Sequence, residues 1–234
     1  MSFGPQRVAV RSACTGIAVC ATLIAGGAYA QSVGLARAAI DRHNGVSLHK
    51  WRFDRLRQVG RTRIRERCIG VDFHKADCRL MTVDDAAPDD KALERYAKAT
   101  PQPVTDNLPN LDPLDFVDAQ SLSLDAKDGN DVRFTFKGAA ATPEDYVREG
   151  SVTGELIVER EDGYIQTLSI RNREAFRPAL GVNIAQFRVD VEFVTIDEQV
   201  FARRVEMQVQ GRAFGLKKIA QHERFEFENF TPPQ

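Results

Sequence analysis

The sequence predicts an α+β protein: a strongly curved antiparallel sheet, or half-open β-barrel, with two or three short covering helices, preceded by a signal peptide. Three observations carry that expectation. From residue 119 onward apolar and polar residues alternate with a period of two through segment after segment, so each strand has one dry and one wet face. Two consecutive segments, 185–196 and 200–211, exceed the usual strand length of about 5–6 residues, and long neighbouring strands twist until their sheet curls. Helical spacing is confined to 33–43, 89–98 and a single turn at 143–148.

The N-terminus sets the compartment. Arg7 and Arg11 form a basic region with no acidic residue nearby, and 13–25 (ACTGIAVCATLIA) is an apolar run. Ala28-Tyr29-Ala30 before Gln31 follows the small-x-small rule for cleavage. The run is shorter than the ~20 residues a membrane span needs, and Val19 stands where lipid attachment at Cys20 would require a small residue. A cleaved Sec-type signal and a bacterial periplasmic location are expected; a retained N-terminal anchor is the alternative. Without residues 1–30 the chain is one domain by size, and 30 basic against 33 acidic residues leave a net charge of −3. That balance lacks the basic surplus of a nucleic-acid binder, so no nucleic-acid partner is expected.

The elements follow in order. Leu35, Ala38, Ala39 and Arg42 share a helical face over 33–43, and Asn44-Gly45 ends it. Segments 48–59 and 61–72 read as strands joined at Gly60, with a short strand at 79–83. Residues 89–98 (DDKALERYAK) place acids in the first helical turn and Lys98 near the last, as the helix dipole favours. Residues 100–113 hold prolines at 101, 103, 109 and 113, too many for a ladder or helix, and read as a linker or lid within the domain. Beyond it Leu122 and Leu124, then Val132, Phe134 and Phe136, then Val152, Leu156 and Val158 alternate with polar residues. So do Phe187, Val189, Val191 and Phe193, then Val205, Met207 and Val209, and finally Phe225 and Phe227. The turns fall at 127–131 (KDGND) and at Glu161-Asp162-Gly163.

Cys68 and Cys78 are the cysteines outside the signal, an even pair in an oxidising compartment, and a disulfide is the expected state. The alternative is a metal site of Cys68, Asp72, His74 and Cys78, whose spacing matches no paired-ligand pattern and whose thiolates a disulfide would consume. Arg61, Arg63, Arg65 and Arg67 alternate with Thr62, Ile64, Glu66 and Cys68, lining guanidiniums along one strand face. Their forked donors suit an anionic headgroup; the alternative is a solvated row cross-paired with acids such as Asp190, Glu192, Glu226 and Glu228. The sequence contains no G-x-S-x-G, H-E-x-x-H, P-loop or G-x-G-x-x-G pattern, so no catalytic residue, metal or cofactor is assigned and a non-enzymatic role is expected.

The C-terminal half, GELIVEREDGYIQTLSI, a loop with Phe176 and Pro178, then QFRVDVEFVTIDEQVFARRVEMQVQGRAFGLKKIAQHERFEFENF, resembles the periplasmic lipoprotein-localisation (Lol-type) carriers. The shared features are an Asp-Gly turn, a long strand, an Ile-Asp-x-x-Val turn and a strand ending in Gly. Residues 79–96, following a strand that begins with Trp51, also resemble a segment of uncharacterised secreted proteobacterial proteins. The first resemblance implies a half-open barrel closed by helices that shelters acyl chains. On that basis a non-enzymatic carrier for a lipid, a lipoprotein acyl chain or another amphiphile is expected, with Phe134, Phe136, Val189, Val191, Val205 and Met207 as cavity residues. Arg61, Arg63, Arg65 and Arg67 would meet the headgroup at its rim, and partners would be a lipid or acylated envelope protein with transient membrane contact. The alternative is a cell-envelope interaction or assembly protein whose apolar face is filled by its own side chains.

Overall fold

The structure is a computed structural model and describes residues 32–43, 47–100, 104, 108–138 and 152–233. The signal sequence, Asn44-Gly45 and the helical turn expected at 143–148 lie outside these residues.

One antiparallel sheet of eleven strands dominates the chain. Its strands are β1 (Arg52–Val59), β2 (Thr62–Asp72), β3 (Lys75–Val83), β4 (Ser123–Asp128), β5 (Asp131–Lys137) and β6 (Val152–Glu159). They continue as β7 (Ile165–Asn172), β8 (Phe176–Ala179), β9 (Val182–Ile196), β10 (Gln199–Ala213) and β11 (Lys217–Thr231). The order is β3-β2-β1-β11-β10-β9-β7-β6-β5-β4, with β8 beside β9, so β3 and β4 are the two ends of the path. The two helices are α1 (32–43) and α2 (Asp90–Ala99).

Period-two alternation becomes a cross-strand row. Arg57, Phe225, Val205, Val191, Leu168, Leu156, Phe134 and Leu124 stand opposite one another in succession from β1 across to β4. The next row holds Met207, Val189, Ile170, Gly154 and Phe136 on the same face. Burying such aliphatic and aromatic side chains contributes about 1.5–3 kcal/mol each, which is why this face is covered and the other is wet.

Three segments cover it. Helix α1 buries Ala36, Ala39, Ile40 and His43, and the His43 ring meets Phe193 of β9 edge-on at 4.8 Å. Arg42 fastens the same helix to the β6–β7 turn, donating to the Asp162 carbonyl at 2.6 Å and lying over the Tyr164 ring. Helix α2, capped by the Asp89 side chain, buries none of its own residues and touches the sheet through Tyr96, whose hydroxyl donates to Glu66 at 2.6 Å. The third cover is the proline-rich segment, described below.

The strands differ from the sequence expectation mainly in length, and the expected loop with Phe176 and Pro178 is instead the short strand β8, paired with β9. β3 begins at Lys75 rather than 79, because the Asp72–Lys75 turn is tighter than the apolar pattern suggested. β11 runs back to Lys217, through a stretch (KKIAQH) whose alternation is hidden because it extends past its β1 neighbour. β1 begins at Arg52: residues 48–51 form a turn in which the Trp51 amide donates to the Leu48 carbonyl, the Lys50 amide to the Gly70 carbonyl and the Gly70 amide to the Trp51 carbonyl.

Candidate functional site

The described part of the proline-rich segment, Val104 and 108–118, is a strap across the covered face; residues 101–103 and 105–107 of the expected linker or lid lie outside the described residues. At one end Val104 exchanges two backbone hydrogen bonds with Ala76 of β3, 2.7 and 3.0 Å long. Next, the Asn110 side-chain amide donates to the Phe73 carbonyl at 2.7 Å and lies 3.1 Å from His74 Nδ1. In mid-course the Ala202 amide donates to the Pro109 carbonyl at 2.6 Å. Ala202 lies beyond the stretch of β10 that pairs with β11, whose register begins at Arg204 after the bulge at Arg203. At the far end Val117 bridges Gly138, and the Asp118 amide donates to the Lys137 carbonyl at the close of β5. Between these anchors Asp112 caps the short 3-10 turn Pro113–Asp115 by accepting from the Leu114 amide. The strap thus joins the β3 end of the sheet to β5.

A cavity of about 300 Å3 lies between strap and sheet. The sheet supplies Phe187, Val189, Val205, Met207 and Phe225; the strap supplies Leu108, Leu111 and Phe116, with Asn110, Asp112, Asp115 and the turn residue His74 as the polar part. The Asp115 carboxyl is raised above the ordinary carboxylate range, first by burial and then by Asp112, with His74 acting the other way. With two carboxyls, Asp112 and Asp115, against one imidazole, the polar edge is acidic in composition.

Of the six cavity residues expected from sequence, Val189, Val205 and Met207 line this cavity. Phe134, Phe136 and Val191 share their face but are packed into the core, 0%, 3% and 1% exposed. The arginine row takes the other face of β2, opposite to Glu66 and Cys68. Arg63 pairs with Asp85 at 3.0 Å, Arg65 with Glu228 at 3.7 Å and Arg67 with Asp54 at 3.1 Å, while Arg61 sits in the β1–β2 turn. Strand alternation turns Arg63, Arg65 and Arg67 to the face of β2 away from this cavity, so they do not meet its rim. Cys68 and Cys78 are cross-strand partners in β2 and β3 and are disulfide-bonded, so they offer no thiolate to a metal. Among the described residues no group of three or more His, Cys, Asp or Glu is placed to hold a metal ion, and no helix is long and apolar enough to cross a membrane.

The strap's own lining residues were missed from sequence. The available signal was the density of large apolar residues, Leu108, Leu111, Leu114, Phe116 and Val117, within and just after the prolines, which a solvated linker would not carry.

The fold and cavity define a class: an antiparallel α+β protein with one strapped, apolar sheet face. No family model, curated protein or solved structure matches the chain. The Lol-type resemblance therefore stands on the C-terminal strand pattern alone.

Proposed function

We propose that the protein is a non-enzymatic carrier of an amphiphile in the cell envelope, its sheet working as a half-open barrel with the strap as its lid. The observation that carries this reading is the apolar cavity of about 300 Å3 between strap and sheet, at the lower end of the ~300–1,000 Å3 typical of ligand sites. Curvature is supported by its lining. His74, in the turn joining β2 and β3, and Val189, on β9, stand four to five strand steps apart, about 19–24 Å on a flat sheet at ~4.8 Å per step. That one cavity is lined by both supports a sheet that curls. An acyl chain fits the apolar part, and burial would contribute about 0.8 kcal/mol per methylene. The acidic edge formed by Asp112 and Asp115 favours a neutral, zwitterionic or cationic head over the anionic one the arginine row suggested. The Cys68–Cys78 disulfide is compatible with an oxidising, exported environment.

Native mass spectrometry of protein purified without detergent, with organic extraction of the same sample, tests the reading. A stoichiometric lipid or acylated peptide is expected, absent from a Val189→Trp variant that fills the cavity. Removing two methylenes from the ligand chain should weaken binding about tenfold. A clean unliganded mass after incubation with envelope lipids would sink the carrier. It would favour the second reading, an interaction or assembly protein with a filled face, for which the complete burial of Phe134 and Leu156 speaks.

A further inference from the structure

Strands β9, β10 and β11 outrun their neighbours. β7 follows β9 only to Arg188, and β1 follows β11 only to Glu223. Beyond those points residues 182–187, 208–213 and 217–222 continue with β8 as their remaining neighbour, reaching about 20 Å further at ~3.3 Å per residue. Two turns meet at the end of this ribbon, each with one left-handed glycine, Gly181 (φ 78°) and Gly215 (φ 71°), but the residues flanking those glycines are large and apolar. Hairpin ends favour Gly, Asn, Asp, Ser and Pro, yet here Leu180, Phe214 and Leu216 stand at the tip, 94%, 77% and 93% exposed.

The tip is built. The Phe214 amide donates to the Gly181 carbonyl at 2.5 Å, tying one turn to the other. Phe214 holds φ at 50°, a left-handed conformation disfavoured for a bulky side chain, and its ring lies where a Cβ on Gly181 would fall, 2.6 Å away. Its surroundings are basic: Arg177, Arg212, Lys217 and Lys218 are the ionisable groups of 175–187 and 207–221, with no Asp or Glu among them, in a chain of net charge −1. Arg212 and Lys218 are direct cross-strand partners, a like-charge pairing that destabilises a sheet unless something anionic faces it. None of these four cations is ion-paired among the described residues.

We propose that this tip is a membrane-contact site that inserts Leu180, Phe214 and Leu216 shallowly into a bilayer surface while the flanking cations bind anionic lipid headgroups. Apolar side chains seated at the acyl boundary beneath a basic collar are the combination by which a protein lies on, rather than spans, a membrane. A second copy of the chain is a poorer occupant. A two-fold contact would set one basic collar against another, and three side chains fall far short of the ~800 Å2 per partner of a stable interface. The proposal does not depend on the cavity holding a ligand, and its test uses none.

The test is flotation of protein recovered from expression of the full chain with vesicles of phosphatidylethanolamine and phosphatidylglycerol, against vesicles of phosphatidylcholine alone. The wild type should float with the anionic vesicles, release in about 0.5 M salt, and bind phosphatidylcholine far less. The triple variant Leu180→Ser/Phe214→Asn/Leu216→Ser and the charge variant Lys217→Glu/Lys218→Glu should each bind at least about tenfold more weakly. Their unfolding temperatures should be no lower than the wild type, because the altered side chains are exposed and the changes relieve the left-handed Phe214 and the Arg212–Lys218 repulsion. Wild-type protein that stays off anionic vesicles, or a triple variant that floats as well as wild type, would overturn the proposal. So would a wild-type dimer that the triple variant abolishes, which would assign the tip to self-association.

Discussion

His43 shows how one buried side chain can tie stability to pH. It is 3% exposed, packs against Phe193, and neither ring nitrogen has a hydrogen-bond partner among the described residues. Burial holds its pKa down, from 6.5 to about 4, with Asp112 offsetting part of the effect. The unfolded chain therefore binds the extra proton in this window. Stability is complete above pH 6.5, falls as pH drops, and has lost about 3 kcal/mol by pH 4. Denaturant titrations between pH 4 and 7 should show that slope, and His43→Leu should flatten it. A second residue-scale case is the ion pair of Arg55 and Glu66, 2.6 Å apart and 4% and 2% exposed, with Tyr96 donating to the same carboxylate. Glu66→Leu leaves the guanidinium buried without its main counter-charge and should cost about 3–5 kcal/mol, while Arg55→Met/Glu66→Leu should recover most of it. Equal losses in the single and double variants would argue against this account.

At the scale of elements, the edge strand β3 is where several fastenings meet. It pairs with β2, is bonded to it through Cys68–Cys78, and holds the strap through Ala76 and Val104. Closing a loop of ten residues' separation removes unfolded-state freedom worth about 3 kcal/mol. Cys68→Ala/Cys78→Ala should lose about that much, and hydrogen exchange should quicken first in β3 and at Val104. Uniform quickening across all strands would show instead that the bond acts on the fold as a whole. The element scale also shows why strand lengths were misjudged. β10 and β11 were legible where Val205, Met207, Phe225 and Phe227 alternate, and not along 217–222, where the ribbon is wet on both faces and nothing selects apolar residues.

Taken whole, the molecule is a sheet with one face given over to coverage and one end given over to exposure. Helix α1 and the strap cover the rows running from Phe225 to Phe134, helix α2 lies over β2 and β3, and the ribbon leaves them behind to end in Leu180, Phe214 and Leu216. A cavity under the strap and an apolar tip on the same long strands, β9 and β10, would place a bound amphiphile and a bilayer at two ends of one ribbon. The predictions for cavity and tip belong to this scale, and each can fail without the other.

The sequence by itself determined the antiparallel strands other than β8, the turns at 127–131 and 161–163, both helices and the cysteine pair. Each rests on local physics: side-chain period, turn conformations, capping by Asp89, and the reach of two cross-strand cysteines. Only the tertiary structure decided which residues on the apolar face line space and which fill the core, that the arginines of β2 point away, and that a proline-rich segment is a strap. Those outcomes depend on contacts between distant residues, such as Pro109 with Ala202 and Asn110 with Phe73. Alternation gives each strand two faces, but the partner that covers a face is chosen by the whole chain.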